Sequence, residues 1–298
     1  MNERDFIALL RPLAGPGGLN LDDDAAVLTP PPGQDLIISA DTMVEGVHFP
    51  LGRIGGGFSE RLLRTALSDL AAKGARPIGY SLCVAWPRER DQTWIKGFVR
   101  GLADAQASFD CPLIGGDTTT TEGPLVASAT VFGVVPTGTM VTRSGAKVGD
   151  DVWFTGTLGL AEIGLKVMKR QAVDLSPSER LASEEAYLRP EPRFAFRKTL
   201  RRYATAAADI SDGLLSEAGH IANASGVCID LYGSATKNAD FGDDYELLFT
   251  SDAANQNELL KAAGVIGLKL TRCGEVREGS GVCVDGVPVT PTGYRHRF

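Results

Sequence analysis

The sequence predicts an α/β protein made of two domains. Its 298 residues are about what two domains of ordinary size require. Short apolar runs typical of strands alternate with longer segments that carry apolar residues at helical spacing, and this mixture predicts α/β or α+β layers instead of a helical bundle. The glycine-bearing stretch from residue 138 to residue 149 indicates a boundary, so we expect domains at residues 1–140 and 141–298.

The first half contains three predicted helices and five predicted strands. The helices are expected over residues 5–13, 59–72 and 92–107, and the strands over residues 25–28, 36–39, 80–86, 112–114 and 125–135. Prolines and a glycine at residues 30–33 break the chain between the first two strands. The apolar run at 36–39 predicts a buried strand with Asp41 at its end, and Asp69 is expected near the C-terminal end of the second helix.

The second half predicts the same alternation. Strands are expected over residues 152–155, 206–210 and 245–249, and helices over residues 160–169, 214–222 and 255–263. Residues 177–200 have a helical pattern that Pro190 and Pro192 interrupt, because proline lacks the N–H that a helix interior uses. Residues 282–289 predict a hairpin, since Asp-Gly is a typical two-residue hairpin turn.

The composition excludes several classes of protein. The formal net charge of −7 disfavours a general nucleic-acid surface, which is normally basic. No apolar run approaches the roughly 18 residues that span a bilayer, and the start of the chain lacks the apolar core of a secretory signal. Five widely spaced cysteines without a C-x-x-C pair predict reduced thiols, so we expect a cytoplasmic protein.

Short clusters of aspartates beside small residues recur over most of the chain. They contain Asp24, Asp41, Asp69, Asp117, Asp209 and Asp212. Each cluster alone is also explained as a turn or a helix N-cap, and for Asp22 and Asp110 that interpretation is favoured. Taken together, carboxylates that converge on one site suit several Mg²⁺ ions, which typically combine one or two carboxylates with substrate phosphates. The pattern therefore indicates phosphoryl transfer, and Mg²⁺ reconciles an acidic site with a polyphosphate.

The common kinase motifs are absent from the sequence, which has neither a P-loop nor a protein-kinase glycine loop. The turn from Gly156 to Gly159 before a predicted helix is explained equally well as an anion site and as a tight turn. Arg143 would either clamp a phosphate or be a solvated charge. His48 fits a packed, hydrogen-bonded histidine, and Tyr294 fits a residue that stacks on a ring or covers the core.

Seven stretches carry a family resemblance and cover nearly the whole chain in the family's order. They read DDAAVL (23–28), SADTMVEGVHF (39–49), LSDLAAKGARP (67–77), LIGGDTT (113–119), TRSGAKVGD (142–150), DISDGL (209–214) and GDDYELLF (242–249). Together they resemble thiamine-monophosphate kinase, within the wider superfamily of aminoimidazole ribonucleotide synthetase-like ATP-binding proteins. The segment 41–49 is the most specific to the thiamine kinase branch. The chain lacks the catalytic Cys near the N-terminus and the thiol-bearing tail that would indicate selenophosphate synthetase or hydrogenase maturation.

The resemblance implies a two-domain aminoimidazole ribonucleotide synthetase-like fold. The first domain would bind metal and ATP and pair its sheet with that of a second copy in a homodimer. The implied reaction is direct in-line transfer from ATP to thiamine monophosphate, with several Mg²⁺ ions and no phosphoenzyme. No acid or base is assigned, because a phosphate monoester acceptor is already ionised at neutral pH.

Carried over position by position, the resemblance implies three sets of site residues. The Mg²⁺ set is Asp24, Ser39, Ala40, Asp41, Asp69, Asp117, Asp209 and Asp212; the ATP set is Gly116, Asp117, Arg143 and Ser211; the substrate set is His48, Asp243 and Tyr294.

Three features depart from the family's pattern. Ala40 stands where Thr is usual, Asp243 stands where Glu is usual, and residues 232–242 form a shorter stretch than the family leads us to expect. Two alternatives therefore stay open: another ATPase of the aminoimidazole ribonucleotide synthetase type, and a metal- and nucleotide-binding module without turnover.

Overall fold

The chain forms two compact units, seen in a computed structural model that describes residues 1–52, 55–237 and 241–294. The first unit is Met1–Leu70 with Arg76–Gly138, and the second is Ala71–Ala75 with Thr139–Phe298. Each unit contains one β-sheet with helices, so the predicted α/β class is confirmed. Within the described ranges, none of the helices combines the length and the hydropathy that a membrane crossing needs.

The first unit is built on a four-stranded sheet. Its helices are α1 (Glu3–Leu10), α2 (Gly55–Ala72) and α3 (Gln92–Phe109), and its strands are β1 (Gln34–Val44), β2 (Arg76–Pro87), β3 (Leu113–Thr121) and β4 (Val126–Pro136). The strand order is β1-β4-β2-β3. Among the described strands of this sheet, only β2 and β3 are parallel neighbours, and α3 is the crossover that a parallel pair requires.

The two faces of this sheet differ in burial. On β4, Ala129 and Val131 are buried, whereas Thr130 between them is partly exposed. On β1, Leu36 is exposed and Ile38 is 57% exposed. Because successive strand residues face opposite sides, one face carries the core of the unit and the other, which we call the open face, is uncovered in the single chain. The prediction of a buried strand at residues 36–39 is therefore wrong, although the strand exists.

Helix α2 supplies the centre of this core. Its apolar stripe is fully buried and consists of Phe58, Leu62, Leu63, Ala66, Leu67 and Leu70. Helix α3 approaches it closely, because a Cβ on Gly101 would lie 2.1 Å from the carbonyl oxygen of Gly56. Ser59 Oγ also donates to the carbonyl oxygen of Phe98 at 2.6 Å. Asp69 lies in the last turn of α2, as predicted.

The second unit is built on a seven-stranded sheet in the order β11-β10-β7-β9-β5-β8-β6. Its strands are β5 (Asp150–Thr155), β6 (Ala204–Asp209), β7 (Cys228–Leu231), β8 (Leu247–Asp252), β9 (Leu270–Arg277), β10 (Gly281–Val284) and β11 (Val287–Val289). Its helices are α4 (Leu160–Met168), α5 (Pro177–Leu188), α6 (Arg197–Tyr203), α7 (Leu214–Ser225) and α8 (Gln256–Val265). Among the described strands of this second sheet, only β7 and β10 pair in parallel.

This second sheet is buried on both faces. Val152 and Phe154 of β5 pack in one apolar cluster, which includes Leu214 and Ile221 of α7. Trp153 lies between them in sequence and packs in the other cluster. Alternate residues of β5 thus reach opposite faces, and both faces are covered, so the strand is buried along its whole length instead of alternating between buried and exposed residues.

Three further element predictions differ from the structure. Residues 25–28 form no strand; the N–H of Val27 instead donates to the carbonyl oxygen of Gly17 at 2.9 Å. The first helix ends at Leu10 and is followed by a 3₁₀ turn, because Pro12 lacks the N–H needed to continue it. The strand expected at 245–249 begins only at Leu247, after a residue with positive φ.

Candidate functional site

In the first unit, Ser39 and Asp69 come together from different elements. Ser39 Oγ on β1 donates to Asp69 Oδ2 on α2 at 2.5 Å. Asp41, two residues along β1, lies on the same face of the strand as Ser39, and both are partly buried. Hydroxyl and carboxylate oxygens are the hard ligands that Mg²⁺ prefers. The donor set therefore fits a magnesium ion.

Ala40 lies on the opposite side of β1 from these oxygens. Its methyl group is exposed on the open face of the sheet, beside Thr130 in register. A hydroxyl at this position would also point away from Ser39 and Asp41. The replacement of the family's usual Thr by Ala40 therefore leaves the Ser39–Asp69 pair unaltered.

The prediction that Asp41 lies at the end of its strand is wrong, and the aspartates of the other strands differ in position. Asp209 is the last residue of β6, whereas Asp41 lies inside β1 and Asp117 lies inside β3. The reason is that the strand ladders continue through both residues, with Asp41 opposite Ala129 and Asp117 opposite Cys83.

Gly116 requires glycine for steric reasons. A Cβ at this position would lie 1.8 Å from the carbonyl oxygen of Leu82 on the neighbouring strand. Gly116 and Asp117 are both exposed on the edge strand β3. The register aligns Asp117 with the exposed Cys83, so the structure does not place it on the face that Ser39 and Asp41 share.

Asp24 and His48 lie in connecting segments. Asp24 is exposed, and its N–H donates to Asp23 Oδ1 at 2.8 Å. His48 Nδ1 accepts the N–H of Val44 at 3.0 Å, so the neutral ring carries its proton on Nε2. Neither of these contacts joins Asp24 or His48 to the Ser39–Asp69 pair. Asp22 forms an ion pair with Arg11, consistent with the structural role favoured for it.

In the second unit, the segment 242–246 lies directly against the turn that follows β6. The N–H of Asp243 donates to the carbonyl oxygen of Ser211 at 2.7 Å. The N–H of Ile210 donates to the carbonyl oxygen of Glu246, also at 2.7 Å. A Cβ on Gly242 would lie 1.8 Å from the Ser211 carbonyl oxygen, so only glycine permits this approach. The substrate candidate Asp243 is therefore one hydrogen bond away from the ATP candidate Ser211.

Tyr294 reaches the same turn from the C-terminal end of the described chain. Its N–H donates to the carbonyl oxygen of Asp212 at 3.2 Å, and its side chain is half exposed. Three segments distant in sequence thus meet around residues 209–212. The shortened stretch 232–242 is described only in part, because residues 238–240 lie outside the described residues.

Arg143 lies in a loop that contacts helix α7. One terminal guanidinium nitrogen of Arg143 is 3.4 Å from Glu217 Oε2, and the Glu217 side chain is fully buried. The same Glu217 oxygen lies 3.2 Å from His220 Nδ1. The guanidinium of the ATP candidate Arg143 therefore contacts a buried carboxylate.

The glycine turn at 156–159 binds a carboxylate of the protein itself. The N–H of Gly159, just before α4, lies 2.9 Å from both carboxylate oxygens of Asp244. Burial raises the pKa of Asp244 to about 7, against the opposing effect of the N–H groups of Gly159 and Ala161. Of the two interpretations of this turn, the structure favours a helix start capped by Asp244.

No three carboxylate, imidazole or thiol groups among residues 1–52, 55–237 and 241–294 are close enough to hold a metal ion by themselves. This agrees with the usual coordination of Mg²⁺, which combines one or two carboxylates with water and substrate phosphates.

Two residues of this region were missed in the sequence. Glu217 occupies the first turn of α7, directly after the DISDG run, and Asp244 is the middle acid of GDDYE. An acid in the first turn of a helix is usually attributed to the helix dipole. The signal that distinguishes both residues is burial, which depends on packing between distant segments.

Comparisons with known proteins identify the family. The family described as AIR synthase related protein, N-terminal domain, matches residues 22–135. Thiamine-monophosphate kinase of Caulobacter vibrioides is 42% identical to this chain, over 99% of the chain and 90% of its own length. The chain belongs to the thiamine-monophosphate kinase family. Every stretch that carried the resemblance lies within the matched length.

Solved structures agree with this membership of the thiamine-monophosphate kinase family. The crystal structure of the enzyme from Stenotrophomonas maltophilia K279a superimposes with a TM-score of 0.83 at 36% identity and covers 96% of each chain. A structure of AaThiL complexed with AMPPCP and TMP has a TM-score of 0.81 at 30% identity and covers 90% of this chain and 89% of its own. The predicted aminoimidazole ribonucleotide synthetase-like fold is therefore confirmed.

Proposed function

We propose that this protein transfers the terminal phosphoryl group of ATP to thiamine monophosphate and forms thiamine diphosphate and ADP. The observation that carries the proposal is the 42% identity to a thiamine-monophosphate kinase over 99% of the chain. The related structure with AMPPCP, an ATP analogue, and TMP supports the same pair of substrates. The phosphate monoester of the acceptor is ionised at neutral pH, so the reaction needs positioning and charge neutralisation more than a general base.

The metal ligands that we propose are side-chain and backbone oxygen donors. They are Asp24, Ser39, Ala40 through its backbone, Asp41, Asp69, Asp117, Asp209 and Asp212. Mg²⁺ bound by them would neutralise charge on the phosphates as the phosphoryl group moves. The hydrogen bond from Ser39 Oγ fixes the orientation of Asp69, so one carboxylate oxygen is oriented before any ligand arrives.

The nucleotide and the acceptor are held by separate sets of residues in this proposal. Gly116, Asp117, Arg143 and Ser211 contact ATP, with Arg143 supplying a planar donor suited to phosphate oxygens. His48, Asp243 and Tyr294 contact thiamine monophosphate. Asp243 presents a carboxylate to the cationic thiazolium ring, and Tyr294 presents an aromatic ring. In the neutral ring of His48 the proton lies on Nε2, because Nδ1 accepts the N–H of Val44.

We also propose that the protein is a cytoplasmic homodimer. The open face of the first sheet carries exposed Leu36 and Ile38 together with small residues, and such a face is stabilised by covering it. A second copy of the same sheet would cover it in an isologous interface. The five cysteines are free, which is typical of a reducing compartment. Residues 1–140 would then contain the dimer interface and the first set of metal ligands, and residues 141–298 the second set.

The experiment that tests the function measures thiamine diphosphate by chromatography after incubation with ATP, MgCl₂ and thiamine monophosphate. We expect product that disappears with EDTA and with Asp117→Asn, while Asp22→Asn retains full activity as the matched control. Asp22 is suitable because its ion pair with Arg11 gives it a structural role. Free thiamine is expected to be rejected, since it lacks the acceptor phosphate. Folded protein that binds ATP with Mg²⁺ but forms no thiamine diphosphate would contradict the proposal.

A further inference from the structure

Helix α7 holds the loop that carries Arg143 at two points. At the C-terminal end of the helix, Ser225 Oγ accepts the N–H groups of Gly145 and Ala146 at 3.2 Å each. In the first turn, Glu217 faces the guanidinium of Arg143 at 3.4 Å. The backbone of the loop and the side chain of Arg143 are thus held separately, by opposite ends of the same helix.

Glu217 is an unusual residue for a purely structural role. Its side chain is fully buried, and its Oε1 atom has no hydrogen-bond partner among the described residues. A buried carboxylate with an unpaired oxygen opposes folding, and an apolar residue would avoid that cost. Burial raises the pKa of Glu217, whereas the neighbouring charges of His220 and Arg143 lower it. The interactions that favour its ionised form are therefore contacts with cations, one of which is an ATP candidate.

Arg143 is arranged so that it can contact both Glu217 and a ligand. Its side chain is 47% exposed, although one of its terminal nitrogens faces the buried carboxylate. A guanidinium has five N–H donors in a rigid plane, so an arginine held along one edge still presents another. We propose that Glu217 is a positioning residue that orients the Arg143 guanidinium toward a phosphate of ATP. This inference rests on the proposed function, because that function makes ATP the ligand of Arg143.

The direction of the effect distinguishes positioning from simple electrostatics. Removing a negative charge close to a phosphate site would by itself tighten binding of an anion. Releasing the Arg143 side chain from Glu217 has the opposite effect and weakens binding of the anion. Binding of the phosphate must then order this long side chain, which costs about 0.5–1.5 kcal/mol. We therefore expect the isosteric variant Glu217→Gln to bind the magnesium complex of AMPPCP about threefold to tenfold more weakly.

The experiment is a double-mutant cycle read by calorimetric titration with Mg–AMPPCP, using Glu217→Gln, Arg143→Ala and the double variant. We expect Glu217→Gln to weaken binding in the natural background and to have no such effect when Arg143 is already absent. In turnover, the KM for ATP should rise while the KM for thiamine monophosphate is unchanged. The control variant is Glu185→Gln, which removes an exposed acid on α5 that pairs with Arg189. It should leave the affinity for Mg–AMPPCP and both KM values unchanged.

Two results would overturn the proposal: unchanged or tighter binding by Glu217→Gln, or an equal loss in the Arg143→Ala background. If Glu217→Gln does not fold, Glu217→Asp keeps the charge but withdraws it from Arg143, and unchanged Mg–AMPPCP affinity in that variant would overturn it as well. The titration needs no turnover, so it separates this proposal from the proposed function. Protein that binds Mg–AMPPCP through Arg143 without forming thiamine diphosphate would refute only the proposed function, and not the positioning role of Glu217.

Discussion

Arg193→Met tests the buried ion pair that supports the segment 242–246. Arg193 Nε donates to Glu246 Oε2 at 2.7 Å, and its terminal nitrogen pairs with Oε1. The two side chains are 24% and 7% exposed. Thr155 Oγ1 adds a hydrogen bond to Glu246 at 2.6 Å. The carbonyl oxygen of Glu246 also accepts the N–H of Ile210. Ile210 directly precedes Ser211, whose carbonyl oxygen accepts the N–H of Asp243, so the Arg193–Glu246 ion pair supports the backbone next to that contact.

Removing one partner of a buried ion pair typically costs about 3–5 kcal/mol, because an unpaired charge is left behind. The partial exposure of Arg193 and the remaining Thr155 hydrogen bond favour the lower end, about 3 kcal/mol. At about 2–4 °C per kcal/mol, the melting temperature should fall by roughly 6–12 °C. Arg193→Met with Glu246→Gln should recover part of this loss, since no unpaired charge remains.

The assay is urea denaturation together with a thermal melt. The matched control is Lys166→Met, which breaks the partly exposed pair with Glu162 on α4 and should change the free energy of unfolding by less than about 1 kcal/mol. If Arg193→Met lowers the free energy of unfolding by less than about 1 kcal/mol, as the control does, Arg193 does not stabilise the buried charge of Glu246.

Two further predictions concern pH and thiol reactivity. The pKa of Asp244 is raised to about 7, so between about pH 4 and pH 7 the folded state keeps a proton that the unfolded chain has lost. The contribution of Asp244 to the free energy of unfolding should therefore fall as pH rises through this window, and an Asp244→Asn variant with the same slope as the natural protein would show the assignment to be wrong. A thiol reagent should label the exposed Cys83 first, since Cys111 is buried with a pKa of about 12 and burial also raises that of Cys273. The labelling rate should fall at protein concentrations where the proposed dimer covers the open face; a rate independent of concentration in a dimeric sample would place the interface elsewhere.

Elements with a strong local signal were predictable from the sequence. The apolar stripe of α2 follows helical spacing, so both the helix and the place of Asp69 in its last turn were predicted. The Asp285-Gly286 turn of the hairpin was predicted for an equally local reason, since both residues adopt positive φ and Gly does so without strain. In these cases the local pattern and the tertiary structure require the same conformation.

Features that depend on long-range packing were not predictable. The apolar run at 36–39 is compatible with a strand covered on both faces and with a strand that is exposed on one face. The sequence does not distinguish the two, so the open face was missed. Residues 25–28 are apolar enough for a strand, but no neighbouring strand pairs with them in the described chain. The sequence likewise contains Glu217 and Asp244 among many acids, and only the fold shows that these two are largely buried against Arg143 and the start of α4.

The destination of the γ-phosphorus of ATP distinguishes a thiamine-monophosphate kinase from an ATPase that acts on another substrate. ATP carrying ³²P at that position would be incubated with the protein, MgCl₂ and thiamine monophosphate, and the label would be followed by chromatography. We expect the label to appear in the terminal phosphoryl group of thiamine diphosphate, in an amount equal to the ADP formed. Label recovered as inorganic phosphate, with thiamine monophosphate unchanged, would contradict it and identify an ATPase that acts on another substrate.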